Sequence, residues 1–316
     1  MPTMLEVRDL VHQYGVGPGA HTAVAELSFS VEKDELACIV GPSGCGKSTL
    51  LRCIAGLIKP TAGTITLHGD PVHGVPDDLA VVFQDYSRSL FPWLTVRGNV
   101  EFPLKSRVSG RAARRARARE ALEWVGLADA AAKYPWQLSG GMQQRVAIAR
   151  ALASQPALLL MDEPFASVDA QTRAELEDLL LRVRREHGST VLLVTHDIDE
   201  SVYLGDRVLV LSRSPARIVT DLTVDLPPQR DQITTRGSST FVDLRTEIAR
   251  LLHDKRTDAG PMDPTEQTTP IRSGEELAAE RFLAAEREEA RQQSGRAAAT
   301  SRRRGRTGRR PPGSSA

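Results

Sequence analysis

Residues 41–48 read Gly-Pro-Ser-Gly-Cys-Gly-Lys-Ser, which fits the phosphate-loop pattern G-x-x-x-x-G-K-[ST] at every fixed position. The stretch follows the apolar run 36–40 and precedes a helical pattern, which is the context that this motif requires. Glycines let successive backbone N–H groups point into one concavity, and the helix start adds the positive end of a dipole. We therefore predict that Lys47 contacts the β- and γ-phosphates of a triphosphate and that the Ser48 hydroxyl binds Mg²⁺. The residues predicted to hold the nucleotide in this loop are Gly41, Pro42, Ser43, Gly44, Cys45, Gly46, Lys47, Ser48 and Thr49.

Short apolar runs alternate with helical patterns over residues 1–255, which predicts an α/β fold with a substantially parallel sheet. The runs 157–161 and 191–194 have the length and the uniform hydrophobicity of buried central strands. Residues 23–31 alternate like a half-buried strand, and residues 47–56 have the periodicity of a helix.

The middle of the chain differs, because residues 96–153 show helical patterns with few strand signals. Within this region, residues 111–123 are rich in arginine. A run of this kind is usually a solvated helix face, and the alternative is an arm that binds nucleic acid. We favour the solvated face.

Composition limits the possible classes of protein. The chain has 316 residues, of which 41% are hydrophobic, so it can bury a full core in one large domain or two smaller ones. It carries 41 lysines and arginines against 40 aspartates and glutamates, so net charge favours no class of partner. The three cysteines, Cys38, Cys45 and Cys53, have no zinc-site spacing, and we expect reduced thiols.

The sequence also bears on location. No apolar run approaches the roughly 18–20 residues that a helix needs to cross a bilayer. The first ten residues lack the apolar core of a signal peptide. We expect the chain to stay in the cytosol and to meet a membrane only through a partner.

A second acidic site follows a buried strand. Residues 158–163 read Leu-Leu-Leu-Met-Asp-Glu, so the strand would deliver two carboxylates to the sheet edge that carries the phosphate loop. Asp162 would hold the Mg²⁺ shell. Strand side chains alternate in direction, so Glu163 faces elsewhere and would address the water that attacks the γ-phosphate.

Residues 138–145 read Leu-Ser-Gly-Gly-Met-Gln-Gln-Arg, which resembles the LSGGQ signature of ABC ATPases, with Met142 in place of its glutamine. Ser139, Gly140 and Gly141 would expose backbone N–H groups at the start of a helix. The resemblance implies that they bind the γ-phosphate held by another subunit. It therefore implies a head-to-tail homodimer with two ATP molecules between the subunits.

Three further residues match the same family in order, and a fourth lies near the first predicted strand. Gln84 resembles the Q-loop glutamine, which senses Mg²⁺ and the attacking water. Asp169 resembles the D-loop aspartate, although Val168 stands where leucine is common. His196 resembles the switch histidine that contacts the γ-phosphate, and Tyr14 occupies the place of the aromatic residue that stacks on adenine.

The resemblance implies a P-loop NTPase with a RecA-like core, an antiparallel β subdomain and a helical subdomain at about 85–153. It covers one ATPase domain at residues 4–255. Residues 256–316 have the composition of a linker and a disordered basic tail, in which 273–292 would form a short helix at best.

Finer features resemble the importer ATPases for nitrate, sulfonate and taurine. These features include Phe91-Pro-Trp-Leu-Thr-Val after the Q-loop and Val224-Asp-Leu-Pro near the end of the domain. The resemblance implies that Phe91, Trp93 and Leu94 dock two membrane permease subunits. It also implies an indirect link to an extracytoplasmic solute-binding protein and a location at the cytoplasmic face of the membrane.

Two rival functions remain open at this point. One is an ABC ATPase that works on ribosomes or nucleic acid, for which the arginine-rich tail is the main support. The other is the ATPase of a transporter for another solute, including an exporter. A single cassette without a long coiled-coil insertion weighs against the first, so we expect no nucleic-acid partner. The solute itself is not encoded in these motifs.

Overall fold

The structure, a computed structural model, describes residues 2–85 and 89–254. The predicted linker, the basic tail and the short helix at 273–292 lie outside the described residues. The limits of the ATPase domain therefore stay a prediction.

The central sheet has six strands in the order β10-β9-β3-β8-β7-β6. All neighbours are parallel except β9 and β10, which are antiparallel. This arrangement confirms the predicted α/β fold. The strands are β3 (Leu36–Val40), β6 (Leu79–Val82), β7 (Leu158–Asp162), β8 (Thr190–Thr195), β9 (Arg207–Leu211) and β10 (Ile218–Thr223).

A second sheet has four antiparallel strands in the order β2-β1-β4-β5. It forms the antiparallel β subdomain that the family resemblance implied. Its strands are β1 (Thr3–Tyr14), β2 (His21–Glu32), β4 (Ala62–Leu67) and β5 (Asp70–Pro71).

Seven α-helices lie within the described residues. Five of them begin after a residue whose side chain accepts a backbone N–H of the first turn, namely Thr95, Ser139, Asp169, Asp197 and Ser238. The helices are α1 (Lys47–Ile54), α2 (Val96–Glu101), α3 (Arg111–Trp124), α4 (Gly140–Ala153), α5 (Ala170–His187), α6 (Ile198–Leu204) and α7 (Ser239–Asp254).

The two faces of the central sheet pack against different layers. On β3, Ala37 and Ile39 join a core formed with the antiparallel sheet and α1. Cys38 and Val40 point to the other face, where the remaining helices supply the apolar side chains. The sheet is therefore covered on both sides, as its near-continuous hydrophobic strands require.

Helix α3 contains the arginine-rich run. It buries Ala118, Ala121 and Leu122 and leaves most of its arginines at the surface. This pattern agrees with a solvated helix face. None of the helices in the described part of the chain is long and apolar enough to cross a membrane.

Candidate functional site

The phosphate loop lies between β3 and α1, and its backbone conformation depends on glycine. Gly46 has φ 114°, in the region that side chains disfavour. A Cβ at this position would lie 2.5 Å from the backbone oxygen of Ala23. The close approach of β2 and the left-handed backbone thus both require Gly46, directly before the first residue of α1.

Lys47 is buried inside this loop, with only 4% of its surface exposed. Its Nζ donates hydrogen bonds to the backbone oxygens of Gly41 and Pro42, at 2.8 and 3.0 Å. The same ammonium lies 3.8 Å from Oε1 of Glu163. The predicted phosphate ligand is therefore a desolvated positive charge at the centre of the loop.

Ser48 and Asp162 meet beside the lysine. The Ser48 hydroxyl donates to Oδ1 of Asp162 at 3.1 Å. Burial raises the pKa of Asp162, and the hydrogen bond from Ser48 opposes that rise. The described residues contain no group of three or more His, Cys, Asp or Glu side chains able to hold a metal. Two protein oxygens together with phosphate oxygens are nevertheless a common ligand set for Mg²⁺.

Glu163 is the centre of the predicted catalytic group. Its Oε2 accepts a hydrogen bond from Nε2 of Gln84 at 3.2 Å and lies 3.0 Å from Nδ1 of His196. The three residues follow the carboxyl ends of the adjacent parallel strands β6, β7 and β8. The sheet therefore brings together all three residues predicted to be catalytic.

The backbone of Glu163 is unusual for a residue with a side chain, because its φ is 45°. Its N–H donates to the backbone oxygen of Val194 at 2.8 Å, which ties the residue to the end of β8. Backbone strain of this kind occurs often at functional sites, where surrounding contacts enforce it.

Tyr14 is the last residue of strand β1 and lies beside helix α1. Its hydroxyl is 3.1 Å from Oγ1 of Thr49 on α1, and its ring packs edge-on against His12 with a centroid distance of 4.7 Å. The side chain is 43% exposed. The ring is thus accessible beside the start of α1, as a residue that stacks on a base would be.

The signature residues form a separate cluster. Ser139 caps α4 by accepting the N–H of Met142 at 3.4 Å. A Cβ on Gly141 would lie 2.4 Å from Cγ2 of Thr172. The carboxylate of Asp169 accepts both the N–H and the hydroxyl of Thr172, at 3.0 and 2.7 Å, and these bonds lower its pKa.

The predicted site residues thus fall into two groups. Among the described residues, no hydrogen bond or ion pair links Ser139, Gly140, Gly141 or Asp169 to the phosphate loop. The signature cluster therefore does not complete the phosphate site within one chain.

Sequence reasoning missed two basic residues beside the loop. A cavity of about 710 Å³ borders residues 41–45 and His196, and its walls include Arg213 and His253. Neither residue belongs to a motif, and each is distant in sequence from the loop. Only the fold brings them to this place.

Comparison with known proteins gives the family. The ABC transporter family model matches residues 24–166. The nitrate import ATP-binding protein NrtD of Synechocystis sp. is 42% identical over 259 residues, which cover 80% of this chain and 97% of that protein. The chain belongs to the ABC transporter family.

A second relative of this ABC chain is the aliphatic sulfonates import ATP-binding protein SsuB 1 of Xanthomonas axonopodis pv. citri. It is 47% identical over 223 residues, which cover 70% of this chain and 88% of that protein.

A solved structure with the same architecture is the dimeric ATP-binding cassette MJ0796, bound to ADP and Pi in a post-hydrolysis state. Its TM-score is 0.63 and its identity 34%, and the match covers 71% of this chain and 100% of that one. The expected P-loop NTPase fold of ABC ATPases is confirmed. The ABC chain described here is thus an ATP-binding, ATP-hydrolysing cassette.

Proposed function

We propose that this chain powers an ABC importer, as one of two identical ATPase subunits bound to membrane permease subunits at the cytoplasmic face of the membrane. The observation that supports a hydrolytic subunit most strongly is the convergence of Lys47, Gln84, Glu163 and His196 within hydrogen-bonding or ion-pair distance. The importer assignment rests on the docking motif and on relatives whose names describe import.

Within the site, Glu163 acts as the general base that takes a proton from the attacking water. His196 and Gln84 both contact Oε2 of its carboxylate and orient it toward the γ-phosphate. Lys47 binds the β- and γ-phosphates, because a buried ammonium group is stable only when negative charge or hydrogen-bond acceptors surround it. Tyr14 stacks on the adenine, which sets the nucleotide's direction along α1.

The residues where α1 begins and β7 ends fit Mg²⁺. Ser48 and Asp162 would hold the ion, with Gln84 nearby, since hydroxyl, carboxylate and amide oxygens are its preferred ligands. When bound, the ion would neutralise charge on the phosphate oxygens. The pKa of Asp162 is raised by burial, so its carboxylate would gain from a nearby cation.

A second copy of the chain completes the site. Ser139, Gly140 and Gly141 present the N–H groups of a helix start but lie apart from the chain's own loop. In a two-fold dimer, each signature cluster would cover the other subunit's γ-phosphate. The dimeric state of MJ0796 supports this arrangement. ATP would then favour closure, because both subunits contact it only when the dimer is closed.

An exposed aromatic patch offers a docking surface for the permease. Phe91 contacts Trp93 and Phe102, with ring centroid distances of 5.4 and 4.6 Å. Trp93 is 71% exposed and Phe102 is 44% exposed. Exposed clustered aromatic side chains are typical of the buried centre of an interface once the partner is bound.

Asn99 holds this patch in place. It is fully buried, and its Oδ1 accepts the N–H of Phe91 at 2.8 Å. Its Nδ2 donates to the backbone oxygens of Phe91, Leu94 and Thr95, at 3.1, 3.2 and 3.1 Å. One amide side chain therefore fixes the backbone that presents the docking residues.

We expect Asn99→Ala to uncouple transport from hydrolysis. The variant leaves buried backbone groups without partners, at a cost of about 1–3 kcal/mol, and the docking loop loses its fixed shape. Intrinsic ATPase activity of the isolated chain should stay within about twofold of wild type, whereas transport by the reconstituted complex should fall at least about tenfold. Trp93→Ala is the comparison variant, because it removes an exposed ring and keeps the hydrogen bonds of Asn99. Wild-type transport by Asn99→Ala would contradict the role of this loop in coupling.

The proposed solute is nitrate, an aliphatic sulfonate or taurine. The test is to express the chain with its permease, isolate the complex from membranes and add a candidate binding protein loaded with each solute. The matching solute should stimulate ATP hydrolysis. Failure of the chain to co-purify with any permease, together with tight binding to nucleic acid, would favour the rival function away from the membrane.

A further inference from the structure

The position of His196 depends on its backbone more than on packing around its ring. Half of its side-chain surface is exposed, and its Nδ1 lies 3.0 Å from Oε2 of Glu163. The residue belongs to the short connection between β8, which ends at Thr195, and α6, which begins at Ile198. The groups that fix residues 195–197 therefore decide where the imidazole lies.

Thr195 and Asp197, the neighbours of His196 on either side, are joined to each other. The backbone N–H of Asp197 donates to Oγ1 of Thr195 at 3.0 Å. Thr195 is buried, and it pairs with Val40 of β3 in the middle of the central sheet. Its hydroxyl therefore attaches the connection to the sheet.

Glu200 of α6 closes a ring around this connection. Its backbone N–H donates to Oδ1 of Asp197 at 3.1 Å, and its carboxyl group accepts a hydrogen bond from the hydroxyl of Thr195. One residue thus contacts both neighbours of His196, one through its backbone and the other through its side chain. A shift of His196 along the chain would break one of these hydrogen bonds.

A helix cap is the simpler explanation of these contacts. In a capping box, the glutamate at this place in the helix reaches back to the N–H of the cap residue, here Asp197. Glu200 instead bonds to Thr195 and is only 3% exposed. Burial raises the pKa of its carboxyl group well above the usual value, and its Oε1 has no hydrogen-bond partner among the described residues. A surface glutamate would cap α6 without this cost, so capping does not account for the burial.

Arg173 of α5 contacts the same connection from its more exposed side. Its Nη1 donates to Oδ2 of Asp197 at 3.1 Å, and both side chains are partly exposed. An ion pair with this exposure contributes little to stability. The buried bond between Glu200 and Thr195 is therefore the stronger restraint on the position of His196.

We propose that Glu200 is a positioning residue for ATP hydrolysis, which acts through Thr195 to hold His196 against Glu163. The inference rests on the proposed role of His196 and adds a buried residue that acts only through others. Position alone can have a large effect on rate, since a displacement of about 1 Å in a catalytic site can lower the rate about 10²-fold.

Two pairs of variants test this link. Glu200→Ala removes the carboxyl group, whereas Glu200→Gln keeps an oxygen that can accept the Thr195 hydroxyl. Thr195→Val removes that hydroxyl and keeps the branched shape, whereas Thr195→Ser keeps the hydroxyl. The measurement is steady-state ATP hydrolysis by the full chain, with kcat and KM obtained separately, after urea denaturation has shown that each variant is folded.

We expect Glu200→Ala and Thr195→Val each to lower kcat about tenfold to 100-fold, with KM for ATP within about threefold of wild type. KM should hold because Lys47 and the rest of the phosphate loop are unchanged. The conservative variants Glu200→Gln and Thr195→Ser should keep kcat within about threefold of wild type.

Tyr203→Phe is the matched control. Tyr203 is also buried on α6, and its hydroxyl donates to Oδ1 of Asp178 on α5 at 2.7 Å, away from residues 195–197. Losing this bond should lower the stability of the protein and leave kcat unchanged. The control therefore separates a weaker attachment of α6 from a displaced histidine.

A double-mutant cycle with His196→Ala shows whether Glu200 acts through the histidine. His196→Ala alone should lower kcat, and adding Glu200→Ala should lower it by no more than about twofold further. A residue that merely supported the fold would instead lower kcat by the same factor in both backgrounds.

Four outcomes would overturn the inference: wild-type kcat in Glu200→Ala, a Glu200→Gln variant as slow as Glu200→Ala, an equal loss of kcat in Tyr203→Phe, or effects of Glu200→Ala and His196→Ala that multiply. If Glu200→Ala does not fold, Thr195→Val against Thr195→Ser decides the same question, and equal kcat in these two variants would contradict the link. Wild-type kcat in His196→Ala itself would instead contradict the proposed role of His196, on which this inference rests.

Discussion

Glu163→Gln is expected to lower the ATP turnover rate by about 10²–10⁴ while leaving ATP bound. Glutamine has nearly the same shape and can still contact Gln84 and His196, but it cannot accept the proton of the attacking water. The phosphate ligand Lys47 is untouched, so the affinity for ATP should change by no more than a few fold. The measurement pairs steady-state phosphate release with equilibrium binding of a fluorescent ATP analogue.

The same variant should accumulate as a dimer in the presence of ATP and Mg²⁺, because hydrolysis no longer separates the subunits. Glu186→Gln is the control, since it makes the same chemical change at an exposed position on α5. It should hydrolyse ATP at the wild-type rate and show no accumulation. If Glu163→Gln turned over ATP within about tenfold of wild type, the general base would have to be another group.

Gly56→Ala should destabilise the fold by about 2–4 kcal/mol, the range expected when a left-handed backbone and an overpacked contact coincide. Gly56 ends the turn that follows α1, with φ 68°. A Cβ there would lie 1.9 Å from the backbone oxygen of Gly74. A backbone atom of another loop cannot move aside as a side chain can, so α1 or the loop at Gly74 must shift.

Gly69→Ala separates the two causes. Gly69 has φ 87°, but a Cβ at this position would meet nothing within 4 Å. The variant should therefore lose only the stability that the disfavoured backbone conformation costs, about 1–2 kcal/mol. Urea denaturation gives the free energy of unfolding of both variants, and the difference between the two values is the contribution of the contact with Gly74. Equal destabilisation of Gly56→Ala and Gly69→Ala would show that the loop at Gly74 moves aside with no loss of stability.

The sequence was sufficient to predict the central strands and the phosphate loop, because buried parallel strands have uniform hydrophobicity and the loop has fixed glycines. Boundaries were less accurate. The helix predicted at 47–56 ends at Ile54, since Gly56 adopts a left-handed backbone and the chain turns there. The strand predicted at 157–161 extends to Asp162, which places that carboxylate within the sheet.

Contacts between distant parts of the chain could not be predicted in the same way. That Gln84, Glu163 and His196 meet follows from the strand order β6-β7-β8, which no local pattern in the sequence predicts. The positions of Arg213 and His253 depend on how α7 packs, and no local pattern encodes that. Asn99 was also missed, because a lone asparagine in a helix gives no signal of four hydrogen bonds to one loop.

The catalytic site and the docking loop of this cassette are close to each other along the chain. Gln84 contacts the carboxylate of Glu163, and the docking loop held by Asn99 begins at Phe91. Gln84 and Phe91 are close in sequence, so the catalytic carboxylate and the docking surface act on the same short stretch of chain.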